Sequence, residues 1–236
     1  MPLRYHIFDL NDLNTPKRVR NTNQLKEALN GAKPGDVIEL DDGNYNLDGF
    51  TMRRHGDEGR PIVIRAREKR NGAVLRGDSE LTLSGNWVYI EGLRFEKLCL
   101  LLKHNGRGGG QCRVTRCQFV NGKRRGGVVE FQDSSENRVD HCEFENARWR
   151  GLCIQPSNPR SDDAAVKDKR MQYNLIDYNY FHDFPFSNGN GREPMNVGRG
   201  PQDSLVSCFT TVEYNLFENV LGDEETMVVG WDNHNG

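Results

Sequence analysis

The stretch Val139-Asp-His-Cys-Glu-Phe144 is one of five copies of a six-residue motif in this chain of 236 residues. Each copy begins with Val or Ile and ends with Phe, and the copies occupy residues 90–95, 114–119, 139–144, 176–181 and 212–217. The final phenylalanines of successive copies are 24, 25, 37 and 36 residues apart. The two shorter spacings define the length of the repeat, and the two longer spacings correspond to one repeat plus an insertion. A second short apolar run follows every copy, at residues 100–102, 128–131, 152–154, 195–197 and 227–229.

This repeat predicts an all-β fold. Two short strands per repeat, separated by Gly- and Asn-rich turns, cannot bury an apolar face alone, but stacked coils share one continuous core. We therefore expect a single-domain right-handed parallel β-helix, which is a solenoid. A β-sandwich is the alternative, but it predicts turns every ~8–12 residues and no motif repeated at this longer spacing. Stacking would also align the fourth motif position as an inward column of Cys and Asn, comprising Leu93, Cys117, Cys142, Asn179 and Asn215.

The segment TNQLKEALNG at residues 22–31 predicts a short N-terminal capping helix. It contains a capping residue, places Leu25, Ala28 and Leu29 on one face, and ends at a glycine. Such a helix is expected to cover the open end of the solenoid, where a terminal coil otherwise exposes its core. The chain is therefore divided into an N-terminal extension at residues 1–21 and a parallel β-helix domain at residues 22–236.

The C-terminal end of the predicted solenoid carries no comparable cap, because no capping segment follows the apolar run 227–229. An uncapped coil presents unpaired N–H and C=O groups along its last strands. We therefore expect that the domain lacks its last coils and that this end either self-associates or continues in a longer chain.

Composition excludes several classes of partner. The chain has 32 Lys and Arg against 34 Asp and Glu, a formal net charge of −2, which indicates no nucleic-acid partner. Mean hydropathy is −0.78 and no apolar stretch approaches the ~20 residues of a membrane span, so no membrane partner is expected. The first residues contain no apolar stretch of signal-peptide length, which leaves the localisation undetermined. The six cysteines lack CxxC spacing and lie in apolar segments, which indicates buried thiols rather than disulfides or a zinc ribbon.

Several segments together resemble polysaccharide lyase family six, which contains alginate lyases and chondroitinase B. They are AKPGDVIELDDGNY (32–45), LSGNWVYIEGLRF (83–95), NGNGREPMNVG (188–198) and VEYNLFENVLGDEE (212–225). The resemblance covers residues 22–230 and keeps the order of the motifs. It implies calcium-assisted β-elimination in a uronate-containing acidic polysaccharide, with alginate favoured over chondroitin or dermatan, and a secreted or periplasmic parent protein.

The chemistry of that reaction explains its metal. The proton to be removed lies on C5 beside the uronate carboxylate, and it becomes more acidic when a hard cation neutralises that charge. Calcium prefers oxygen ligands, and the resemblance implies one Asn and two acidic residues, here Asn190, Asp223 and Glu225. A shift of one residue would instead give Glu224 and Thr226, which supply a single carboxylate.

A solvated acidic turn is the alternative interpretation of residues 223–225. Residues 171–236 contain 2 basic and 10 acidic residues, a local balance of −8 in a nearly neutral chain. Burying such a cluster without a cation would be costly, which favours the metal.

The catalytic lysine of the family is missing from its expected place. The resemblance puts it at Gly230, or at Trp231 in the shifted register, and no lysine occurs after Lys169. The arginine acid would lie beyond Gly236. No catalytic residue is therefore assigned, and the chain is either a lyase divergent in its base or a non-catalytic β-helix that binds acidic polysaccharide or serves as a structural module.

Other polar residues have both a functional and an ordinary surface interpretation. Arg192 and Arg199 flank the run 195–197 and are expected to pair with substrate carboxylates. Substitute bases would be His182, His234 or Tyr178, although each histidine could equally be a surface turn residue. A basic stripe along one face, attractive to a polyanion, would be formed by residues 123–125, Arg148 and Arg150.

Overall fold

Three parallel sheets form the walls of the molecule, and the chain visits them in turn. The computed structural model describes residues 13–68, 72–104, 110–124, 126–155, 173–187, 193–198, 209–222 and 226–229. Strands are numbered in chain order. Sheet A has the order β1 (Lys17–Val19), β2 (Val37–Leu40), β5 (Ile62–Ala66), β8 (Val88–Glu91), β11 (Arg113–Thr115), β14 (Arg138–Asp140), β17 (Asn174–Asp177) and β20 (Thr210–Glu213).

The other two sheets repeat this order, with every neighbouring pair parallel. Sheet B contains β3 (Gly43–Asn46), β6 (Ala73–Arg76), β9 (Arg94–Glu96), β12 (Gln118–Val120), β15 (Glu143–Glu145), β18 (Tyr180–Ser187) and β21 (Leu216–Gly222). Sheet C contains β4 (Thr51–Met52), β7 (Glu80–Leu83), β10 (Cys99–Lys103), β13 (Val129–Gln132), β16 (Leu152–Gln155), β19 (Met195–Val197) and β22 (Met227–Val229). The predicted right-handed parallel β-helix is confirmed.

Each repeat contains three strands, whereas the sequence predicted two. The six-residue motif itself divides, because its third residue has a positive φ that redirects the chain from sheet A to sheet B. This position is occupied by Gly92 (φ 70°), Arg116 (53°), His141 (54°), Tyr178 (55°) and Tyr214 (54°). The second apolar run of each repeat supplies the strand of sheet C.

The last phenylalanine of the motif builds the core. Phe119 pairs in register with Phe95 and Phe144, and Phe181 pairs with Phe144 and Phe217. The rings stack with centroid separations of 4.6, 5.1, 4.4 and 4.9 Å along this column. The first motif position forms a parallel column of Ile90, Val114, Val139, Ile176 and Val212. Both columns follow from the constant spacing within the motif.

The fourth motif position forms the predicted inward column. Asn179 Oδ1 accepts the backbone N–H of Cys142 at 2.9 Å, and Asn215 Oδ1 accepts that of Asn179 at 2.9 Å. The five described cysteines are buried free thiols, as predicted, whereas Cys208 lies outside the described residues. The amide column therefore fixes the spacing between successive coils.

The predicted helix, α1 (Thr22–Gly31), packs against β1, β2 and β3 with Leu25, Ala28 and Leu29 buried. Its cap lies one residue before the predicted segment, because the Asn21 side chain accepts the N–H of Gln24 at 3.0 Å. Strand β1 lies before residue 22 and extends sheet A. Within the described parts of the chain, no helix has the length and apolar character needed to cross a membrane.

The outer face of sheet A carries ion pairs that link neighbouring coils. Arg113 Nε and Nη2 each donate to the Asp140 carboxylate at 2.8 Å, and Thr115 Oγ1 donates to it at 3.0 Å. Arg138 pairs in the same way with Asp177 of the next coil. Burial alone would raise the pKa of Asp140, but the hydrogen bonds and charge of Arg113 outweigh it, so this pKa is lowered.

Asp140→Asn should lower the free energy of unfolding by roughly 2–3 kcal/mol at neutral pH. This is less than the ~3–5 kcal/mol of a fully buried pair, because the Arg113 side chain is 30% exposed. Since the folded-state pKa lies below the unfolded-state value of about 4, the contribution is present above that value and is lost as the pH falls through the folded-state pKa. Urea unfolding of wild type and variant should therefore converge at acid pH, and the exposed Asp78→Asn should behave as wild type. Equal urea midpoints at neutral pH would contradict this.

Candidate functional site

The outer face of sheet C carries a basic groove at its N-terminal end. An open pocket of about 470 Å³ is lined by residues of β4, β7 and β10 and of the adjoining turns. Arg53, His55 and Lys103 supply its basic side chains, and Thr51, Thr82 and Ser84 supply hydroxyls. No ion pair of Arg53 or Lys103 is found among the described residues, and Glu80, the carboxylate that also lines the pocket, lies 3.3 Å from Arg124. Hydroxyls and cations on one open face are suited to a hydroxylated polyanion.

The middle of the same face is a closed polar network around Glu130, whose side chain is fully buried. Arg124 donates to one of its carboxylate oxygens, and the amides of Gln132 and Gln155 donate to the other. Arg124 also reaches Glu80 in the groove at 3.3 Å. Because Arg124 pairs with the Glu130 carboxylate and both amides donate to it, Glu130 acts as a structural residue that positions Gln132 and Gln155.

At the C-terminal end of this face, a buried ion pair joins two coils. Arg150 Nε donates to Glu193 Oε1 at 2.6 Å, and Asn196 Nδ2 donates to the same oxygen at 2.7 Å. The backbone reinforces the contact, because the N–H groups of Gly151 and Leu152 both donate to the Pro194 carbonyl at 2.9 Å. Glu193 is therefore held rigidly directly before β19.

Three buried oxygens on this part of sheet C and the turns beside it have no hydrogen-bond donor. Among the described residues, they are Glu193 Oε2, Asn196 Oδ1 and Gln155 Oε1. A buried acceptor without a donor costs about 1–3 kcal/mol, more when it is charged, so such atoms call for a partner. One carboxylate and two amide oxygens are hard ligands of the kind that calcium prefers. The chemistry of these donor atoms is therefore compatible with calcium.

The residues predicted from the sequence for metal and substrate lie outside the described residues. These are Asn190, Asp223 and Glu225 for the metal, Arg192 and Arg199 for the substrate, and His234 as one candidate base. Their roles stay predictions. In the sequence, however, Asn190 and Arg192 stand three positions and one position before Glu193. Glu225 stands two positions before Met227, as Glu193 stands two positions before Met195.

Comparison with known proteins assigns the family. The family model of chondroitinase B matches residues 19–235, which is nearly the whole chain. This chain belongs to the chondroitinase B family. No curated protein matches the chain with significant sequence similarity.

Solved structures of similar fold agree with membership of the chondroitinase B family. The alginate lyase AlyGC of polysaccharide lyase family 6 has a TM-score of 0.74 at 24% identity, covering 92% of this chain and 30% of its own. A mannuronic acid specific family 6 lyase from human gut microbiota has a TM-score of 0.69 at 23% identity, with coverages of 92% and 51%. The family 6 lyase Pedsa3628 from Pseudopedobacter saltans has a TM-score of 0.65 at 20% identity, with coverages of 90% and 49%. This chain thus spans about a third to a half of their lengths.

Two of the candidate bases are not on the face of sheet C. In this member of the chondroitinase B family, His182 lies on the outer face of sheet B, where its ring nitrogens contact Asp183 and Glu143. Tyr178 lies at the turn between sheets A and B, and its ring stacks between His141 and Tyr214 at 5.2 and 4.9 Å. Neither side chain is brought to the groove or to the Glu193 cluster.

Sequence reasoning missed the buried cluster and misplaced one arginine. Arg150, interpreted as part of a basic surface stripe, is buried because it pairs with Glu193. The repeat carried a signal for this pair, since Arg150 stands two positions before Leu152 and Glu193 two positions before Met195. These two strands are aligned in sheet C, with Leu152 opposite Met195.

Proposed function

We propose that this chain binds a uronate-containing acidic polysaccharide along the outer face of sheet C and supports its cleavage by calcium-assisted β-elimination. The observation that carries the proposal is the arrangement of one continuous sheet face. Its N-terminal end carries a groove whose cations Arg53 and Lys103 have no ion-pair partner among the described residues, and toward its C-terminal end lie buried oxygens that lack donors within the same part of the chain. The cations of the groove suit the carboxylates of a polymer, and the buried oxygens suit a metal ion that neutralises one of these carboxylates.

Each end of the face has a distinct task in this proposal. Arg53 and Lys103 bind uronate carboxylates and hold the polymer against sheet C. Glu193, Asn196 and Gln155 offer oxygens to a calcium ion, together with Asn190, Asp223 and Glu225 from the family resemblance. When bound, calcium lowers the charge on the uronate carboxylate beside the C5 proton. The ion pair of Arg150 with Glu193 keeps the oxygen cluster in place.

Alginate is the favoured polymer within the uronate class. The two structures of highest TM-score described above are named an alginate lyase and a mannuronic acid specific lyase. The family name itself points to a sulfated glycosaminoglycan, so chondroitin and dermatan remain the competing substrates. A panel of these polymers, assayed for unsaturated uronate products with calcium and with a chelator, tests the proposal. Product from alginate that requires calcium is expected, and product from none of the polymers would contradict cleavage.

A non-catalytic polysaccharide-binding β-helix is the second candidate. It is favoured by one observation, since Gly230 and Trp231 occupy the two positions at which the family resemblance expects the lysine base. Calcium-dependent binding of alginate without release of unsaturated product would identify this function.

Lys103→Gln and Arg53→Gln should each weaken alginate binding several-fold at low salt. Each change removes one unpaired cation from the groove, and the loss should shrink as added salt screens the remaining charges. Affinity electrophoresis in alginate-containing gels measures the effect. Lys33→Gln, which removes an exposed lysine outside the groove, is the matched control. If all three variants migrate alike, the groove is not the binding surface.

Calcium should raise the melting temperature of the chain by linkage, and Asp223→Ala should remove that gain. Glu213→Ala is the control, because Glu213 is an exposed carboxylate in the same acidic C-terminal stretch and belongs to no predicted metal set. Differential scanning calorimetry with calcium or with a chelator measures the shift. A calcium shift that survives Asp223→Ala unchanged would remove Asp223 from the ligand set.

A further inference from the structure

The outer face of sheet B carries a second cluster of metal-ligating side chains, away from the face of sheet C. Glu143 and Glu145 project from β15, and His182 projects from β18, directly opposite Glu145 in the register. One potential ligand atom from each of the three residues lies within 4.8 Å of the other two. The cluster therefore joins two coils that are consecutive in the solenoid but far apart in the sequence.

The imidazole of His182 is oriented by its neighbours. Nδ1 lies 2.8 Å from Asp183 Oδ2, and Asn219 Nδ2 donates to the other oxygen of Asp183 at 3.1 Å. The opposite ring nitrogen, Nε2, lies 3.1 Å from Glu143 Oε1. Metal-binding histidines commonly donate one ring N–H to a carboxylate while the other nitrogen binds the ion. Asp183 and Asn219 supply that support here.

Neighbouring aromatic contacts restrict the site further. The ring of Tyr180 stacks on that of His182 with a centroid separation of 4.2 Å. The Tyr180 hydroxyl donates to Glu218, which raises the pKa of Tyr180 to about 12. Tyr180 therefore forms a wall of the site, because its hydroxyl is already bonded to Glu218.

Carboxylates outnumber the basic groups of this cluster, in which His182 lies between Glu143 and Asp183. Glu143, Glu145, Asp183 and Glu218 bring four carboxylates to this patch, and no lysine or arginine of the described residues pairs with any of them. Glu145 is half-buried, and its carboxylate has no hydrogen-bond or ion-pair partner among the described residues. The His182 side chain is only 11% exposed, so its nitrogen meets the two glutamates in a shielded position.

We propose that Glu143, Glu145 and His182 bind a divalent first-row transition-metal ion, with Zn²⁺ as the representative. Imidazole nitrogen with two carboxylates is a donor set that such ions accept, whereas calcium and magnesium favour oxygen ligands alone. Three protein ligands on an open sheet face leave the remaining coordination positions to water. The ion cross-links β15 to β18 across the long insertion between them, and the inference does not depend on the proposed lyase function.

Isothermal titration of the full chain with Zn²⁺ tests this site. Excess Ca²⁺ is present throughout, so that the proposed calcium site is occupied, and a mildly alkaline buffer keeps His182 unprotonated. The wild-type chain should bind one more Zn²⁺ ion than either Glu145→Gln or His182→Gln. Alternatively, the number of ions stays equal and the wild-type affinity for Zn²⁺ is at least tenfold higher. Asp183→Asn should weaken the same site by roughly 10–100-fold, because it removes the support of the ligating imidazole.

The variants separate a binding defect from a folding defect. Glu145→Gln removes a carboxylate that has no partner among the described residues, so it leaves the fold intact even if His182→Gln does not. Glu96→Gln is the matched control, because Glu96 occupies the same column of sheet B in an earlier coil and pairs with Arg76. Glu96→Gln should bind Zn²⁺ as wild type does. Absence of Zn²⁺ binding by wild type, or equal binding by wild type and Glu145→Gln, overturns the proposal.

Discussion

Phe144→Ala should lower the free energy of unfolding by ~3–5 kcal/mol, the usual cost of truncating a buried phenylalanine. The Phe144 side chain is fully buried and stacks between Phe119 at 5.1 Å and Phe181 at 4.4 Å. Both neighbours are fixed by strand register, so they cannot move into the space that the missing ring leaves. Urea unfolding monitored by circular dichroism measures the loss.

Phe217→Ala is the comparison for this substitution. Phe217 ends the described stack, where it contacts Phe181 on one side and is only partly buried. Truncation of Phe217 should lower the free energy of unfolding clearly less than truncation of Phe144, because folding removes less apolar area of the Phe217 ring from water. Equal losses for the two variants would show that stacking within the coil column does not set the stability.

Lyase activity of this chain should be 10²–10⁴-fold below that of a family six lyase that keeps the lysine base, which is the usual effect of losing a general base. A bound cation can neutralise the uronate carboxylate, but the C5 proton still needs an acceptor. Gly230 and Trp231 cannot accept it, and no lysine occurs after residue 169. Initial rates of unsaturated product release on the same alginate, at saturating calcium, provide the comparison.

If this chain releases product at a rate within about tenfold of that of the lysine-containing lyase, the prediction that a general base is missing is wrong. The structure then limits where a substitute could be, because His182 and Tyr178 are not on the face of sheet C. His234→Ala would test the remaining histidine candidate, with His55→Ala as a control in the groove. A tenfold or larger loss confined to His234→Ala would identify it as the base.

The solenoid was predictable because its signal is a repeated spacing. The phenylalanine and aliphatic columns follow directly from the motif, and the stacked rings of Phe119 and Phe144 confirm it. The third strand of each repeat was not predictable in the same way. Its turn requires a positive φ, and apart from Gly92 the residues that adopt it are Arg116, His141, Tyr178 and Tyr214, which are not typical turn formers.

The candidate site was predictable only in part. The family resemblance predicted a role for Asn190 in the segment 188–198 and for calcium, and Arg192 and Arg199 were predicted to bind substrate, but Glu193 was not predicted. That glutamate becomes conspicuous only when Arg150 is placed beside it by strand register. The unsatisfied oxygens of Gln155 and Asn196 have no counterpart in sequence patterns, because satisfaction of a polar atom depends on every neighbour in space.

Strand register also determines how this molecule can change in evolution. Glu145 and His182 face each other at a spacing of 37 residues, and Glu96 and Val120 are neighbours in the same column at a spacing of 24. Neighbour relations on a sheet face are therefore independent of the length of the connecting turn. Long insertions between coils carry a small entropic cost, so turns can grow or shrink while every surface column keeps its order. New binding properties can then arise by single substitutions at aligned positions, without any change in the core.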